Sequence, residues 1–66
     1  MQIRINGKQI NMDKVNTILE LIQDKGLNID RIVVEYNHQI LSKEKLAYTF
    51  IKDGDNIEIV SFVGGG

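Results

Sequence analysis

One stretch of this chain has helical periodicity, Thr17 to Lys25, and it stands alone among short segments that alternate with a period of two. Ile18, Leu21 and Ile22 fall on one helical face, with the stem of Lys25 at its end and Leu19 widening the stripe. Thr17 and Glu20 have the spacing of a capping box, in which each side chain satisfies a free backbone N–H of the other residue. Gly26 follows where a left-handed cap is needed, and Leu27 is placed for the apolar contact that accompanies it. A single helix covers only one face of a sheet. The arrangement therefore predicts an α+β fold whose opposite sheet face stays open.

The flanking segments supply the strands. Met1, Ile3 and Ile5 alternate with Gln2, Arg4 and Asn6, and Ile10 and Met12 continue the alternation beyond Asn6-Gly7. Both residues of that dipeptide tolerate positive φ, which predicts a hairpin over residues 1–12. Residues 31–36, rich in β-branched side chains, predict a central strand, and Asn37-His38 a turn into a short strand at Gln39 to Leu41. Ser42 is placed to cap one helical turn through Leu46, and Asp53-Gly54-Asp55 reads as a turn launching a last strand from Asn56 to Val63. The order condenses to ββαββ, a mixed sheet with one covering helix. Residues 1–63 form the domain and residues 64–66 a tail.

With 66 residues the chain makes one domain and buries only about 60% of its unfolded surface, too little to build a deep pocket readily. Its 42% hydrophobic content still argues for a packed globule, and a binding or carrier module suits the size. Eight basic and nine acidic residues are spread evenly, so no basic stripe exists for nucleic acid. There is no cysteine to form a disulfide, bind a metal as thiolate or carry sulfur as a persulfide. The strand pattern begins at Met1 without a charged leader, and no apolar run approaches the ~18 residues of a membrane span. The expectation is a cytoplasmic protein without membrane partners.

His38, the only histidine, falls in a predicted turn and reads as solvated. Asp53, Asp55 and Glu58 read as a solvated acidic rim, with steering of a basic partner as the alternative. Two carboxylates in one turn fall short of the 6–8 oxygen ligands that calcium takes. No nucleophile–base pair, phosphate-cradling loop or metal-ligand spacing occurs, so the chain is not expected to be an enzyme or to bind a metal or cofactor itself.

The informative feature is Gly64-Gly65-Gly66. Without side chains, such a segment is slender enough to thread a narrow tunnel, and three residues reach about 10 Å. Composition alone fits a frayed end equally well. The preceding run separates the two: Ile57, Ile59 and Ser61 alternate with Val60 and Phe62, so both faces are apolar while one helix covers only one. Val60 and Phe62 should then lie exposed beside the glycines, as a docking patch does.

Taken together, these segments resemble the ThiS family of thiamine-biosynthesis sulfur carriers over the whole chain. The resemblance rests on the Met-Gln-Ile-x-Ile-Asn-Gly opening, the Thr17-capped helix ending in Gly26-Leu27, and Val33-Val34-Glu35-Tyr36-Asn37. It also rests on Asp53-Gly54-Asp55 before Ile57-Glu58-Ile59-Val60, and on Phe62-Val63-Gly64-Gly65-Gly66. It implies a ubiquitin-like β-grasp fold with the first and last strands parallel and adjacent. It further implies that the Gly66 carboxylate is adenylated by a ThiF-like enzyme, which itself uses ATP and Mg. Sulfur from a persulfide then gives a thiocarboxylate that a ThiG-like thiazole synthase consumes. Val60, Phe62, Gly64 and Gly65 would contact these partners, and the carrier role needs only a monomer. A ubiquitin-type protein modifier, or a carrier for tRNA thiolation or molybdopterin synthesis, is the alternative such a tail leaves open.

Overall fold

The computed structural model describes residues 1–13 and 16–62. Strand β1 (Gln2–Ile5) turns through Asn6 and Gly7 into antiparallel β2 (Lys8–Asn11). Both turn residues have positive φ, 50° and 82°, the type I′ geometry that matches strand twist. Helix α1 (Ile18–Asp24) begins with the expected reciprocal box: the Glu20 N–H donates to the Thr17 hydroxyl and the Thr17 N–H to the Glu20 carboxylate. It ends with Gly26 at φ 70°, its N–H donating to Gln23 and that of Leu27 to Ile22. That pair of bonds is the Schellman motif, which satisfies carbonyls the helix end would otherwise leave bare.

A 3₁₀ turn (Ile29–Arg31), capped by the Asn28 side chain, leads into β3 (Ile32–Tyr36), which therefore starts one residue later than expected. Asn37 and His38, both at positive φ, turn the chain into antiparallel β4 (Gln39–Leu41). Ser42 precedes the 3₁₀ turn Lys43–Lys45 but makes no side-chain cap bond, contrary to expectation. A turn this short leaves fewer amides to satisfy than an α-helix does. Strand β5 (Asn56–Ser61) ends before the predicted limit at Val63, itself outside the described residues.

The sheet order is β2-β1-β5-β3-β4, with β1 and β5 parallel and the other pairs antiparallel. This is the mixed sheet with one covering helix of a ubiquitin-like β-grasp. Its five strands are those the sequence reading places, with the short Gln39–Leu41, which the ββαββ shorthand leaves out, paired with β3. The central strand is β5, not β3, which stands beside it.

The core lies between sheet and helix. Ile3, Ile5, Val34, Ile57 and Ile59 face Ile18, Leu21 and Ile22, with Leu46 and Ile51 closing the side. Burying each such side chain contributes about 1.5–3 kcal/mol. The segment carrying Leu46 and Ile51 is tied to the helix start, where the Ile18 N–H donates to Thr49 and the Ile51 N–H to Asn16.

Candidate docking face and carboxyl tail

Strand alternation sends one set of β5 side chains into the core and the other onto the uncovered face. Val60 is 57% exposed and Phe62 49%, as the sequence pattern required. The register adds residues the sequence reading missed. Val33 stands opposite Val60, and Ile40 opposite Glu35, on the same face; both are exposed. Val33 sits in a run of β-branched residues with no alternation to mark its side, and Ile40 in a strand of three, so neither carried a local signal. Phe62 stays in register, its N–H donating to the Arg31 carbonyl at 3.0 Å. The face thus presents an apolar cluster at the very end of the last strand, with Glu35 and Glu58 opposite each other beside it. Gly64, Gly65 and Gly66, the remaining predicted site residues, lie outside the described residues. Tyr48 and Phe50 are exposed too, but their segment packs toward the helix start on the other side of the sheet.

The acidic rim divides under inspection. Glu58 is exposed, and Asp53 accepts a bond from the Gln2 N–H at 2.7 Å, fixing the turn to β1. Asp55, read from the sequence as solvated, is only 4% exposed. It accepts from the Tyr36 hydroxyl at 2.6 Å, the Lys52 N–H at 2.7 Å and the Asn37 amide at 3.2 Å. Burial by itself would raise its carboxyl, but these donors and the Lys52 charge outweigh it and hold the group below the usual carboxylate range. The same contact, after burial, pushes the Tyr36 phenol up. Asp55 is therefore a structural anchor for the start of β5, not part of a steering surface. Among the described residues no group of three or more histidine or acidic side chains stands close enough to hold a metal ion, and no helix is long and apolar enough to cross a membrane.

Comparison with known proteins gives the family of the chain. The family model for the ThiS family matches residues 3–66. The chain belongs to the ThiS family. The sulfur carrier protein ThiS of Bacillus subtilis (strain 168) is 38% identical over 65 residues, covering 97% of this chain and 98% of the relative. A crystal structure of the thiamine biosynthesis protein ThiS from Geobacter metallireducens superposes with a TM-score of 0.85 at 32% identity, covering both chains completely. A thiazole synthase of Paramagnetospirillum magneticum (strain ATCC 700264 / AMB-1) is 36% identical over 66 residues; the chain spans only 20% of that protein's length. The five-stranded sheet and single helix are those of the ThiS fold.

Proposed function

We propose that this chain is a sulfur carrier for thiazole formation in thiamine biosynthesis, with the Gly66 carboxylate as the carrying group. The observation that supports this most is the apolar cluster of Val33, Val60 and Phe62 on the open face, with Phe62 two residues before the first glycine of the run. A carboxylate is a poor acyl donor until one oxygen becomes a good leaving group. In this reading a ThiF-like enzyme, supplied with ATP and Mg, docks on that face and receives the tail. A Gly66 oxygen attacks the α-phosphate and expels pyrophosphate, giving an acyl-adenylate. A persulfide sulfur then displaces AMP at the acyl carbon, and a second thiol attacks the resulting acyl disulfide, forming a disulfide with the donor's sulfur and releasing the thiocarboxylate. Proteins named thiazole synthase that carry a segment similar to this chain support a ThiG-like enzyme as the acceptor's catalyst. The chain itself holds only the handle and the carboxylate and acts as a carrier rather than a catalyst.

Intact-mass measurement of the protein from its native cell tests the reading. The expected species is heavier than the unmodified chain by the difference between sulfur and oxygen. A ladder of conjugates to other proteins, without the sulfur-bearing form, would overturn it in favour of a protein modifier.

Truncating the aromatic ring checks the docking face. Phe62→Ala should weaken binding to the adenylating enzyme by about 1–3 kcal/mol, as loss of a central aromatic anchor does. Folding stability should move by much less, because half of the Phe62 surface is already in water. Titration calorimetry beside thermal melts separates these effects. A large melting loss with unchanged affinity would assign Phe62 to the core.

A further inference from the structure

Strand β1 stops at Ile5 because the chain turns at Asn6-Gly7, so its parallel ladder with β5 runs only from Arg4 opposite Asn56 to Ile5 opposite Ile57. On the other side β5 stays paired with β3 as far as Ser61 opposite Ile32. The bonds from Asn37 N–H to the Asn56 carbonyl and from Phe62 N–H to the Arg31 carbonyl turn the even-numbered backbone groups of β5 toward β3. Those of Ile57, Ile59 and Ser61 therefore face the β1 side. The Ile57 carbonyl accepts from the Asn6 N–H at 2.9 Å, and there the strand partner runs out.

The Asn6 side chain takes its place. Its Nδ2 donates to the Ile59 carbonyl at 3.2 Å, and its Oδ1 accepts from the Ile59 N–H at 2.8 Å. A side-chain amide offers the same donor and acceptor as a peptide group, and only one orientation of it satisfies both of these bonds. The clamp carries two-sided pairing of β5 one rung past the end of β1. Ile59 lies three residues before Phe62 and seven before Gly66.

We infer that Asn6 is a positioning residue for adenylation, holding the end of β5 so that the docking face and the tail that follows it share one fixed origin. This inference rests on the carrier reading above. A strand bonded only to β3 beyond Ile57 would be free to peel at its outer edge. A misplacement of about 1 Å at a reacting group costs roughly 100-fold in rate.

Asn6 also serves the turn, since asparagine tolerates its φ of 50°. Two substitutions separate the roles. Asn6→Gly keeps a turn that accepts positive φ and removes both clamp bonds. Asn6→Asp keeps an acceptor for the Ile59 N–H but loses the donor to its carbonyl. The measurements are kcat and KM for ATP–pyrophosphate exchange by the adenylating enzyme, with amide hydrogen exchange read residue by residue.

For Asn6→Gly, kcat should fall about tenfold while KM for the carrier stays within about twofold, because the Val60 and Phe62 side chains are retained on a strand still paired with β3. Faster exchange should be confined to Ile59 and the residues after it, and Asn6→Asp should fall between wild type and glycine. An unchanged kcat in Asn6→Gly overturns the inference. So does faster exchange spread through the β1–β2 hairpin with kcat and KM moving together, which would leave Asn6 a turn former only. If the wild-type chain itself supports no exchange, the carrier reading falls and this one falls with it.

Discussion

Deletion of Gly66 alone is expected to lower ATP–pyrophosphate exchange with the adenylating enzyme by at least about 100-fold while the domain stays folded. One residue fewer shortens the reach by roughly 3.5 Å, several times the ~1 Å displacement that already costs about that factor. The fold should not register the loss, since the buried core among the described residues ends at Ile59. Extension by one alanine should be as damaging, because the carboxylate is then carried past the phosphorus and a methyl group enters the path. Side-chain carboxylates offer no substitute: Glu58 stands on the sheet face, and Asp55 is already committed to three donors. Exchange measured beside circular dichroism decides the matter. Near-normal exchange in both variants would show that the end of the chain is not the reacting group.

The largest effect on stability is expected at Asp55. Asp55→Ala leaves the Asn37 amide and the Lys52 N–H without their acceptor beside a buried site, and the Tyr36 hydroxyl with only the longer bond to the Phe50 carbonyl at 3.3 Å. Orphaned donors cost about 1–3 kcal/mol each when they stay dry, so a loss of about 2–4 kcal/mol allows for partial hydration. In a domain of this size that lowers the melting temperature by at least about 10 °C.

The pH dependence has a definite sign. The folded-state carboxyl lies below its ordinary value, so its contribution is present above the unfolded pKa of about 3.9 and is lost as pH falls through the folded value. Wild type should therefore approach Asp55→Ala in stability on acidification below about pH 4, and the gap between them should be constant at neutral pH. Denaturant melts across that range provide the check. A gap that stays constant through the acid limb would mean that the Asp55 bonds do not depend on its charge.

The contrast between Asp53 and Asp55 shows where the sequence stops being legible. The Asp-Gly-Asp turn is readable because Gly54 supplies the positive φ of 86° that such a turn needs. What each carboxylate touches is not readable, since the partners of Asp55 at Tyr36 and Asn37 lie 19 and 18 residues earlier. Most local chemistry was legible: the Asn6-Gly7 and Asn37-His38 turns, the Thr17–Glu20 box and the Gly26 cap all act within a few residues, whereas the Ser42 cap did not form. The exposure of Val60 and Phe62 was also legible, because one helix cannot cover two faces. Val33 and Ile40 join them only through the register of β5 with β3 and of β3 with β4. The bonds from Asn6 to Ile59 span 53 residues, and no motif announces them.

The position of β5 at the middle of the sheet has a consequence for how the protein comes into being. Synthesis delivers β1, β2, α1, β3 and β4 first, yet β1 and β3 do not touch; each pairs with β5. Until residues 56–61 have left the ribosome, the nascent chain holds two separate hairpins and a helix around an empty slot. Loop closure over more than fifty residues then has to precede the parallel pairing of Ile5 with Ile57, which makes this a late and comparatively slow step. A ribosome that stalls before this strand would release a chain with no keystone, exposed to proteases and to aggregation. The strand that completes the sheet is also the strand that carries Val60 and Phe62, so under the carrier reading an unfinished copy lacks the part of the docking face nearest the tail.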